Sequence, residues 1–365
     1  MTLSVLRGLK ARGHMIRCVT NSWNDGDFHK RLEAADIPYE AIPVGMISKQ
    51  LSLKYIKWTL DALLHLPKAW WDYSKICQTW PHDLVLSTGF STVSMLRFMI
   101  DSSKTVHYVH ELESGSIHTR RVIQSSSDGG IAYIAPSQHI ETRLQEAGVP
   151  SSKTHVVHNG IELESFGLTR EDIRSGEIEP THTPGHVDIG IVGQVGAWKG
   201  HLDLMEALRL LPDTVAYTCH VVGRGNDTYR KKVESYNERY GISNNIVWHG
   251  FCVDIEAVYR KLDILVVPSR HGEPFGLVAA EAGLFGIPVV ATRNGGLPEI
   301  IIDGETGFLV DTGSPDQIAD RLIQLIDSPS LREQLGKQAQ QRVLAHFTHE
   351  RVIDGVEEVL QSVVK

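Results

Sequence analysis

The feature that most constrains this chain is the alternation of short β-branched segments with longer amphipathic segments. This pattern is typical of βαβ units, which build a largely parallel sheet covered by helices. The predicted strands form two series: Met15–Thr20, Asp83–Ser87, Thr105–Val109 and Ile131–Ala135, then Val187–Val192, Tyr217–Val222, Ile246–Trp248, Ile264–Val267 and Pro288–Ala291. The sequence therefore predicts an α/β fold with two doubly wound, Rossmann-like domains.

The length of the chain agrees with two domains, because 365 residues are more than twice the roughly 150 residues of an average domain. Residues 167–185 are rich in charge, Pro, Thr and Gly and show no apolar periodicity, as expected of a linker. We therefore predict domains at 1–166 and 186–347, and a final helix, within 348–365, that returns to the first domain. Ligands of doubly wound domains bind at the carboxyl ends of the strands, so we expect the site in a cleft between the two.

Composition excludes several classes of protein. Hydrophobic residues make up 42% of the chain and charged residues 22%, which indicates a folded protein rather than a disordered one. The net charge of -8 offers no general attraction to nucleic acid. The four cysteines are far apart and no window approaches the length of a membrane-spanning helix, so we expect reduced thiols and a cytoplasmic protein.

The most informative segment runs from Pro268 to Glu281. A strand ends at Pro268, a Gly/Pro-rich turn follows, and a helix is predicted to begin near Phe275, so that free backbone N–H groups can bind an anion. Glu273 in the turn and Glu281 in the helix can then contact different ends of one elongated, hydroxyl-rich ligand, such as a nucleoside diphosphate sugar. Two glutamates without this turn between them are usually solvated surface residues.

A second glycine-rich loop follows the predicted strand that ends at Val192. Gly193, Gly196 and Gly200 allow close approach of the backbone to a phosphate, and Lys199 adds a positive charge. The spacing matches neither the dinucleotide-binding fingerprint nor the P-loop, which disfavours both of those functions.

These motifs, with Asn159-Gly160-Ile161 and Gly295-Gly296-Leu297-Pro298-Glu299, resemble those of the retaining glycosyltransferases of family 4, which have the GT-B fold. The resemblance implies that Glu273 contacts the donor sugar and Glu281 the ribose of the nucleotide. It also implies that the backbone N–H groups of Phe275, Gly276 and Leu277 hold the diphosphate beside Lys199.

One position departs from the family pattern. The family usually has an arginine five residues before the lysine, but this chain has Gln194, an amide without charge, after Gly193. Loss of one donor at a developing anion costs about 3 to 4 kcal/mol where such sites have been dissected. Arg224 is a candidate to compensate, although it is equally consistent with a surface residue, and Gly250 and Phe251 resemble the loop on the base side of the nucleotide.

In the first domain, His110 follows a predicted strand and matches the position of an active-site histidine of the family. A histidine after a strand is otherwise most often a structural residue. Eighteen histidines make accidental pairs common, and no Asp-x-Asp motif occurs, so we predict no metal site and no cofactor.

The beginning of the chain is unusual for the family. Met1 to His14 is predicted to form the first helix and its exit turn, so that the preceding strand and glycine-rich turn are missing. That strand is central in a doubly wound sheet, and its loss leaves neighbouring strands with unpaired edges. Either the start codon is assigned too late, or the chain is a defective or rebuilt variant.

Between Leu51 and Trp80 the sequence interleaves aromatic and basic residues. A helix of this kind can bind at a bilayer surface, and peripheral contact with the inner face of a membrane is one interpretation. Packing of the aromatic residues on the sheet is the other. The residues concerned are Tyr55, Trp58, Trp70, Trp71, Tyr73 and Trp80, with Lys54, Lys57, Lys68 and Lys75.

The sequence thus predicts a retaining glycosyltransferase that moves a sugar from a UDP- or GDP-type donor, as co-substrate, to a hydroxyl of a glycan, lipid-linked or small-molecule acceptor, within polysaccharide biosynthesis. One alternative is a catalytically impaired partner subunit that only binds the sugar nucleotide. Another is a glycoside hydrolase with Glu273 and Glu281 as acid and base, for which the phosphate-binding features have no purpose.

Overall fold

The computed structural model describes residues 2–23, 26–44, 53–89, 96, 99–110, 130–175 and 183–364. The chain divides into two compact units, one comprising Met1–His158 with Val352–Lys365 and the other Asn159–Arg351. No helix in the described part of the chain combines the length and the apolar character that crossing a membrane requires.

The first unit alternates short strands with helices, as the βαβ pattern predicts. Its described elements are α1 (Thr2–Ala11), β1 (Cys18–Asn21), α2 (Asp27–Ala34), β2 (Tyr39–Ile42), α3 (Leu53–Thr79), β3 (Val85–Ser87), β4 (Thr105–Tyr108), β5 (Ala132–Ala135), α4 (Gln138–Glu146) and β6 (Thr154–Val156), with 3-10 turns at Ser102–Lys104 and Ser151–Lys153.

The described strands of this unit form two parallel sheets rather than one. β1 pairs with β2, and a separate four-stranded sheet has the order β3-β4-β5-β6. Helix α1 contributes to two hydrophobic clusters: Val5 and Leu9 pack with Val106 of β4, whereas Leu3 packs with Leu32.

The second unit contains a longer series of alternating strands and helices. Its elements are α5 (Arg170–Ser175), β7 (Val187–Val192), α6 (His201–Arg209), β8 (Tyr217–Val222), α7 (Asp227–Tyr240), β9 (Ile246–Gly250), α8 (Ile255–Lys261), β10 (Ile264–Val267), α9 (Leu277–Leu284), β11 (Val289–Thr292), α10 (Leu297–Ile300), β12 (Gly307–Val310), α11 (Pro315–Asp327) and α12 (Pro329–His346), with 3-10 turns at Leu163–Phe166, Ala197–Lys199 and Ser243–Asn245. Helix α13 (His349–Val363) begins in this unit and ends in the first.

The sheet of the second unit is six-stranded and parallel, with the order β12-β11-β10-β7-β8-β9. Two large hydrophobic clusters, one around Leu265 and Ala279 and one around Ile189 and Leu204, fill the space between the strands and the helices. From β7 the chain proceeds outward on one side to β9 and then returns to build the other side from β10. β7 and β10 are thus neighbours at the topological switch point, where doubly wound sheets bind ligands.

The structure differs from the sequence predictions in three strands and in the division of the chain. β2, β6 and β12, of three or four residues each, are not among the predicted strands. Phe166 and Leu168 belong to a hydrophobic cluster of the second unit, so contacts divide the chain at His158 rather than within 167–185. Part of the predicted linker, residues 176–182, lies outside the described residues.

Candidate active site

Two loops leave the sheet side by side at the switch point. The loop after β7 carries Lys199 at the end of a 3-10 turn, and the turn after β10 carries Glu273 before helix α9. Gly200 lies where the loops meet: its φ is +72°, and a Cβ there would stand 1.9 Å from the carbonyl oxygen of Pro268. Only glycine satisfies both conditions without displacing the backbone. The close approach of the two loops therefore depends on this residue.

Arg270 fastens the two loops together. Its guanidinium donates two hydrogen bonds to the carboxylate of Asp203, at 2.7 and 2.5 Å, and its backbone N–H donates to the carbonyl of Trp198 at 2.8 Å. Asp203 is buried in the first turn of α6, so the bidentate contact ties the turn after β10 to the helix after β7. The Arg270–Asp203 contact therefore fixes the distance between the loop after β7 and the turn after β10.

Lys199 and Glu273 meet between these loops. The ammonium Nζ of Lys199 lies 2.5 Å from Oε1 of Glu273, and Ser269 Oγ donates to the same carboxylate oxygen at 2.5 Å. Glu273 is only 8% exposed, and three quarters of the Lys199 side chain is covered. Oε1 of Glu273 thus accepts hydrogen bonds from both Lys199 and Ser269. These contacts hold the positive charge of Lys199 between the two loops.

Helix α9 begins two residues later than the sequence predicts. Its first residue is Leu277, with Gly276 as the N-cap, because the chain bends at Gly276 and the Phe275 ring packs in the core against Phe347 at 5.6 Å. Gly276 has no side chain to cap the helix, and no acidic residue occupies the first turn. The N–H groups at this helix start and its positive dipole end are therefore suited to an anion.

The backbone of the Gly295-Gly296 motif packs against the backbone of the turn that carries Glu273. A Cβ on Gly295 would stand 2.2 Å from the carbonyl oxygen of Glu273, and the Gly296 N–H donates to that oxygen at 2.8 Å. Thr292 Oγ1 donates to the carbonyl of Ser269 at 2.8 Å. The absence of side chains lets one backbone pack directly on the other and so fixes Glu273.

Glu281 lies one turn into α9 and has a different partner. Tyr259 of α8, fully buried, donates its hydroxyl to Oε2 of Glu281 at 2.6 Å. Burial raises the pKa of the Glu281 carboxyl, and the Tyr259 hydrogen bond opposes that shift. Tyr259 stacks on Phe285 at 5.4 Å, so its hydroxyl is held in position by the core.

The remaining predicted residues of the second unit lie in neighbouring loops. Gly193 is the first residue after β7, and a Cβ there would lie 3.8 Å from Cε of Lys199. Gln194, the next residue, is exposed. Arg224 stands over the ring of Phe251, with Cζ 5.5 Å from the centroid, and the Arg224 carbonyl accepts from the Val195 N–H at 3.0 Å. The structure thus brings Arg224 to Phe251, on the side predicted to hold the base.

Gly250 closes the same side of the site. Its carbonyl accepts a hydrogen bond from the Gly223 N–H at 2.7 Å, next to an irregularity in the pairing of β8 with β9. Phe251 follows and is 64% exposed. An exposed aromatic ring beside an arginine is a suitable surface for stacking a nucleobase.

His110 lies at the end of β4, in the first unit. Its Nε2 is 3.2 Å from Oγ1 of Thr2, and its ring packs on Tyr108 with the centroids 4.4 Å apart. Burial lowers the pKa of His110 to about 4, so the imidazole is neutral at pH 7. A neutral ring can accept or donate a hydrogen bond without adding charge. The active-site role of His110 stays a prediction.

Sequence reasoning missed Ser269 and Tyr259, which contact the two glutamates. Ser269 follows β10 directly, and polar residues at the carboxyl end of a strand at the switch point are a usable signal. Tyr259 has no such signal, because it is separated from Glu281 by 22 positions and is otherwise a core aromatic. Within the described residues, no group of three or more His, Cys, Asp and Glu side chains could hold a metal ion.

Comparisons with known proteins show the family and the fold of this chain. Residues 1–165 match the family model described as Glycosyltransferase Family 4, and residues 179–342 match Glycosyl transferases group 1. Anabaena HepE in complex with UDP superposes with a TM-score of 0.79 at 23% identity, covering 99% of this chain and 95% of that one. This similarity shows the fold.

Curated relatives are similar over part of their length. D-inositol 3-phosphate glycosyltransferase of Corynebacterium glutamicum is 50% identical over 246 residues, which are 64% of this chain and 58% of the relative. A 41.2 kDa protein from the cps region of Klebsiella pneumoniae is 28% identical over 64% of this chain and 59% of its own length. The chain thus spans about three fifths of these relatives.

The two family models cover nearly the whole chain without overlapping, and the fold is that of solved GT-B glycosyltransferases. The chain belongs to the glycosyltransferases of family 4 and group 1, with the GT-B fold.

Proposed function

We propose that this protein transfers a sugar from a nucleoside diphosphate donor to an acceptor hydroxyl, with retention of the anomeric configuration. The observation that carries the proposal is the Lys199–Glu273 contact at the switch point, beside a helix start without a side-chain cap. A cation, the backbone N–H groups of a helix start and a carboxylate within one small region match the diphosphate and the sugar hydroxyls of such a donor.

The diphosphate binds between Lys199 and the N-terminus of α9. The positive end of the helix dipole and the N–H groups at the helix start favour an anion there, and Lys199 adds a full charge. When the bond from the anomeric carbon to the diphosphate breaks, the leaving oxygen takes the electron pair and its charge grows. The acceptor oxygen bonds to the same face of the anomeric carbon, and its proton passes to the leaving diphosphate. Donors already in position stabilise that charge without reorganising, which is the largest contribution to catalysis at most such sites.

Glu273 has two partners in the structure and exchanges one of them on binding. Its contact with Lys199 holds the lysine in place, and the arriving phosphate oxygens compete for the same ammonium group. Ser269 still donates to Glu273, so the carboxylate keeps its orientation toward the sugar hydroxyls. Lys199 thereby changes from a partner of a carboxylate to a partner of a phosphate.

The nucleoside lies on the other side of the site. Glu281, oriented by Tyr259, accepts the ribose hydroxyls, and the base stacks beside Phe251 and Arg224. Two structural relatives are complexes of Anabaena HepE with UDP and with UDP-glucose. A UDP-type donor is therefore the first choice for this chain, with a GDP-type donor as the second, and the donor acts as co-substrate with no cofactor.

The acceptor is a hydroxyl of a glycan, a lipid-linked sugar or a small molecule, within polysaccharide biosynthesis. Relatives include a capsular polysaccharide biosynthesis glycosyltransferase of Staphylococcus aureus and a lipopolysaccharide core mannosyltransferase of Rhizobium leguminosarum. The four cysteines are free thiols, which supports action in a reducing, cytoplasmic compartment.

The test is a transfer assay on the purified chain with UDP- and GDP-sugars of α configuration. We expect release of the nucleoside diphosphate and a product whose new linkage is α, measured by the anomeric coupling constant in proton NMR. A β product contradicts retention. Tight nucleotide binding without transfer to any acceptor and without donor hydrolysis contradicts the enzyme and favours the binding subunit.

A further inference from the structure

Helix α3 presents an apolar stripe to solvent. Leu60, Leu63, Leu64 and Trp71 are all exposed, with Leu64 at 77% and Trp71 at 74%. Positions three, four, seven and eleven residues apart lie on the same side of an α-helix. The four side chains therefore form one continuous strip along the helix, which we call the outer face of α3. Isolated exposed apolar residues are common, but a continuous strip indicates a binding surface.

The opposite side of α3 provides the contacts with the domain. Ala62, Ala69 and Tyr73 are buried in a cluster with Ile42 and Val44 of the strand β2 region. The helix is thus held to its domain by one side, and the apolar outer face is not needed for that packing. Hydrophobic residues on both sides are typical of a helix with a second apolar partner.

Charge on α3 contrasts with the rest of the chain. The helix contains four lysines and two aspartates, whereas the whole chain carries a net charge of -8. Lys57, Lys68 and Lys75 are exposed and spaced eleven and seven residues apart, which are close to whole helical turns. Their line borders the outer face. Lys68 also contacts Asp72 at 2.6 Å, an exposed pair that contributes little by itself.

We propose that the outer face of α3 binds the surface of an anionic lipid bilayer. The leucines and Trp71 enter the boundary between headgroups and acyl chains, and the lysines contact anionic headgroups. Tryptophan prefers this boundary because its ring is apolar and its N–H is polar.

A second copy of the chain is the other occupant that such a face could take, and charge argues against it. Pairing two copies through the same face would bring the lysine lines of both helices to one interface, where like charges repel. An anionic bilayer offers an apolar layer and negative charge together, which is the complement of this face.

The experiment measures binding of the full-length chain to vesicles by co-sedimentation. Vesicles contain either phosphatidylcholine alone or phosphatidylcholine with phosphatidylglycerol. We expect binding to the anionic vesicles that weakens as the salt concentration rises, and little binding to the neutral vesicles. Lipids brominated near the headgroup should quench tryptophan fluorescence, and Trp71→Phe should remove most of the quenching.

Substitutions separate the two contributions. Replacing Lys57, Lys68 and Lys75 together with Gln should weaken binding to the vesicles on the order of 100-fold. Each lysine contributes about fivefold, and the three factors multiply. Leu64→Gln with Trp71→Gln should weaken it at least about tenfold. Matched controls are Lys231→Gln with Lys232→Gln on α7 and Leu210→Gln, all exposed, which should bind as the original chain does.

Three results overturn the proposal. These are equal binding to neutral and anionic vesicles, unchanged binding of the α3 variants, and a dimer in light scattering that Leu64→Gln dissociates. If a variant loses its helical circular dichroism signal, the salt series and the quenching by brominated lipid on the original chain decide the question. None of these measurements depends on sugar transfer, so they test the lipid surface separately from the enzyme.

Discussion

Lys199 and Glu273, 74 residues apart in the chain, form an ion pair with Nζ 2.5 Å from Oε1. The pair joins the loops that follow two neighbouring strands of the sheet, β7 and β10. Breaking such a covered pair by removing one partner leaves a poorly solvated charge. The ion pair therefore holds the Lys199 cation in place between the two loops.

Replacing Lys199 with Met should lower kcat of sugar transfer by about 100-fold to 1,000-fold. The reason is the loss of a donor at the oxygen where charge develops, a loss of about 3 to 4 kcal/mol. Steady-state kinetics with saturating donor measure it. Lys231→Met, an exposed lysine on α7, is the matched control and should retain full activity. Equal kcat for both variants would show that Lys199 does not act on the leaving group.

Tyr259→Phe should raise KM for the donor by about tenfold and leave kcat nearly unchanged. The hydroxyl orients Glu281 at 2.6 Å, and removal of one hydrogen bond to a charged group costs about 1.5 kcal/mol. In the proposed function Glu281 binds the ribose equally in the ground state and in the transition state, so the loss raises KM rather than lowering kcat. Tyr240→Phe, at an exposed ring, serves as control. A fall in kcat with constant KM would assign Tyr259 another role.

Gln194→Arg should increase kcat, by up to about tenfold. Gln194 is exposed next to Gly193, so a longer side chain fits without disturbing the core. The introduced charge strengthens stabilisation of the leaving diphosphate. The same assay measures it, and Gln194→Lys tests whether charge alone suffices. Unchanged or lower kcat in a folded Gln194→Arg protein means that this position does not contact the diphosphate.

Gly200→Ala should destabilise the protein much more than Gly241→Ala. Both glycines have positive φ, +72° and +73°, which costs about 1 to 2 kcal/mol for alanine. At Gly200 the new Cβ also clashes with the carbonyl of Pro268. At Gly241 no atom lies within 4 Å of the new Cβ. We expect an additional loss of about 1 to 3 kcal/mol in the free energy of unfolding, measured in urea. Equal losses would contradict the close approach of the two loops.

Acid should destabilise the protein between pH 6.5 and about pH 4. Burial lowers the pKa of His107, His110 and His201 to about 4 in the folded state, so the unfolded state binds more protons in this window. Stability is therefore complete above pH 6.5 and falls as the pH decreases, by up to about 3 kcal/mol for each histidine. The raised pKa of Glu281 acts in the opposite sense. Urea unfolding at pH 7 and at pH 5 measures the difference in the free energy of unfolding between the two pH values. The substitution His201→Gln should make this difference smaller.

The sequence predicts those parts of the fold whose signal is local. β7, β8 and β10 coincide with their predicted bounds because each is a continuous β-branched run. β12 is not predicted, because its four residues follow a glycine-containing turn and show no alternation of apolar and polar side chains. The sequence also assigns Phe166 to the first domain, since nothing local indicates that it packs beside Tyr259, 6.3 Å away between ring centroids.

Some residues of the candidate site can likewise be predicted from the sequence, and others cannot. Lys199 and Glu273 follow from motifs, and the structure brings them together. Ser269 and Tyr259 do not, because their roles arise from contacts formed only after the sheet has assembled. The start of α9 was placed two residues early, since the sequence does not reveal that the core requires the ring of Phe275.

The most direct test of the account is the shift in melting temperature on adding UDP or GDP to the original chain, to Lys199→Met and to the Lys231→Met control. A ligand at about 100 times its Kd adds about 2.7 kcal/mol of stability. We predict that one of the two nucleotides stabilises the original chain and the control, and that Lys199→Met loses most of this shift. An equal shift in all three proteins, or none in the original chain, would contradict a diphosphate site between Lys199 and helix α9.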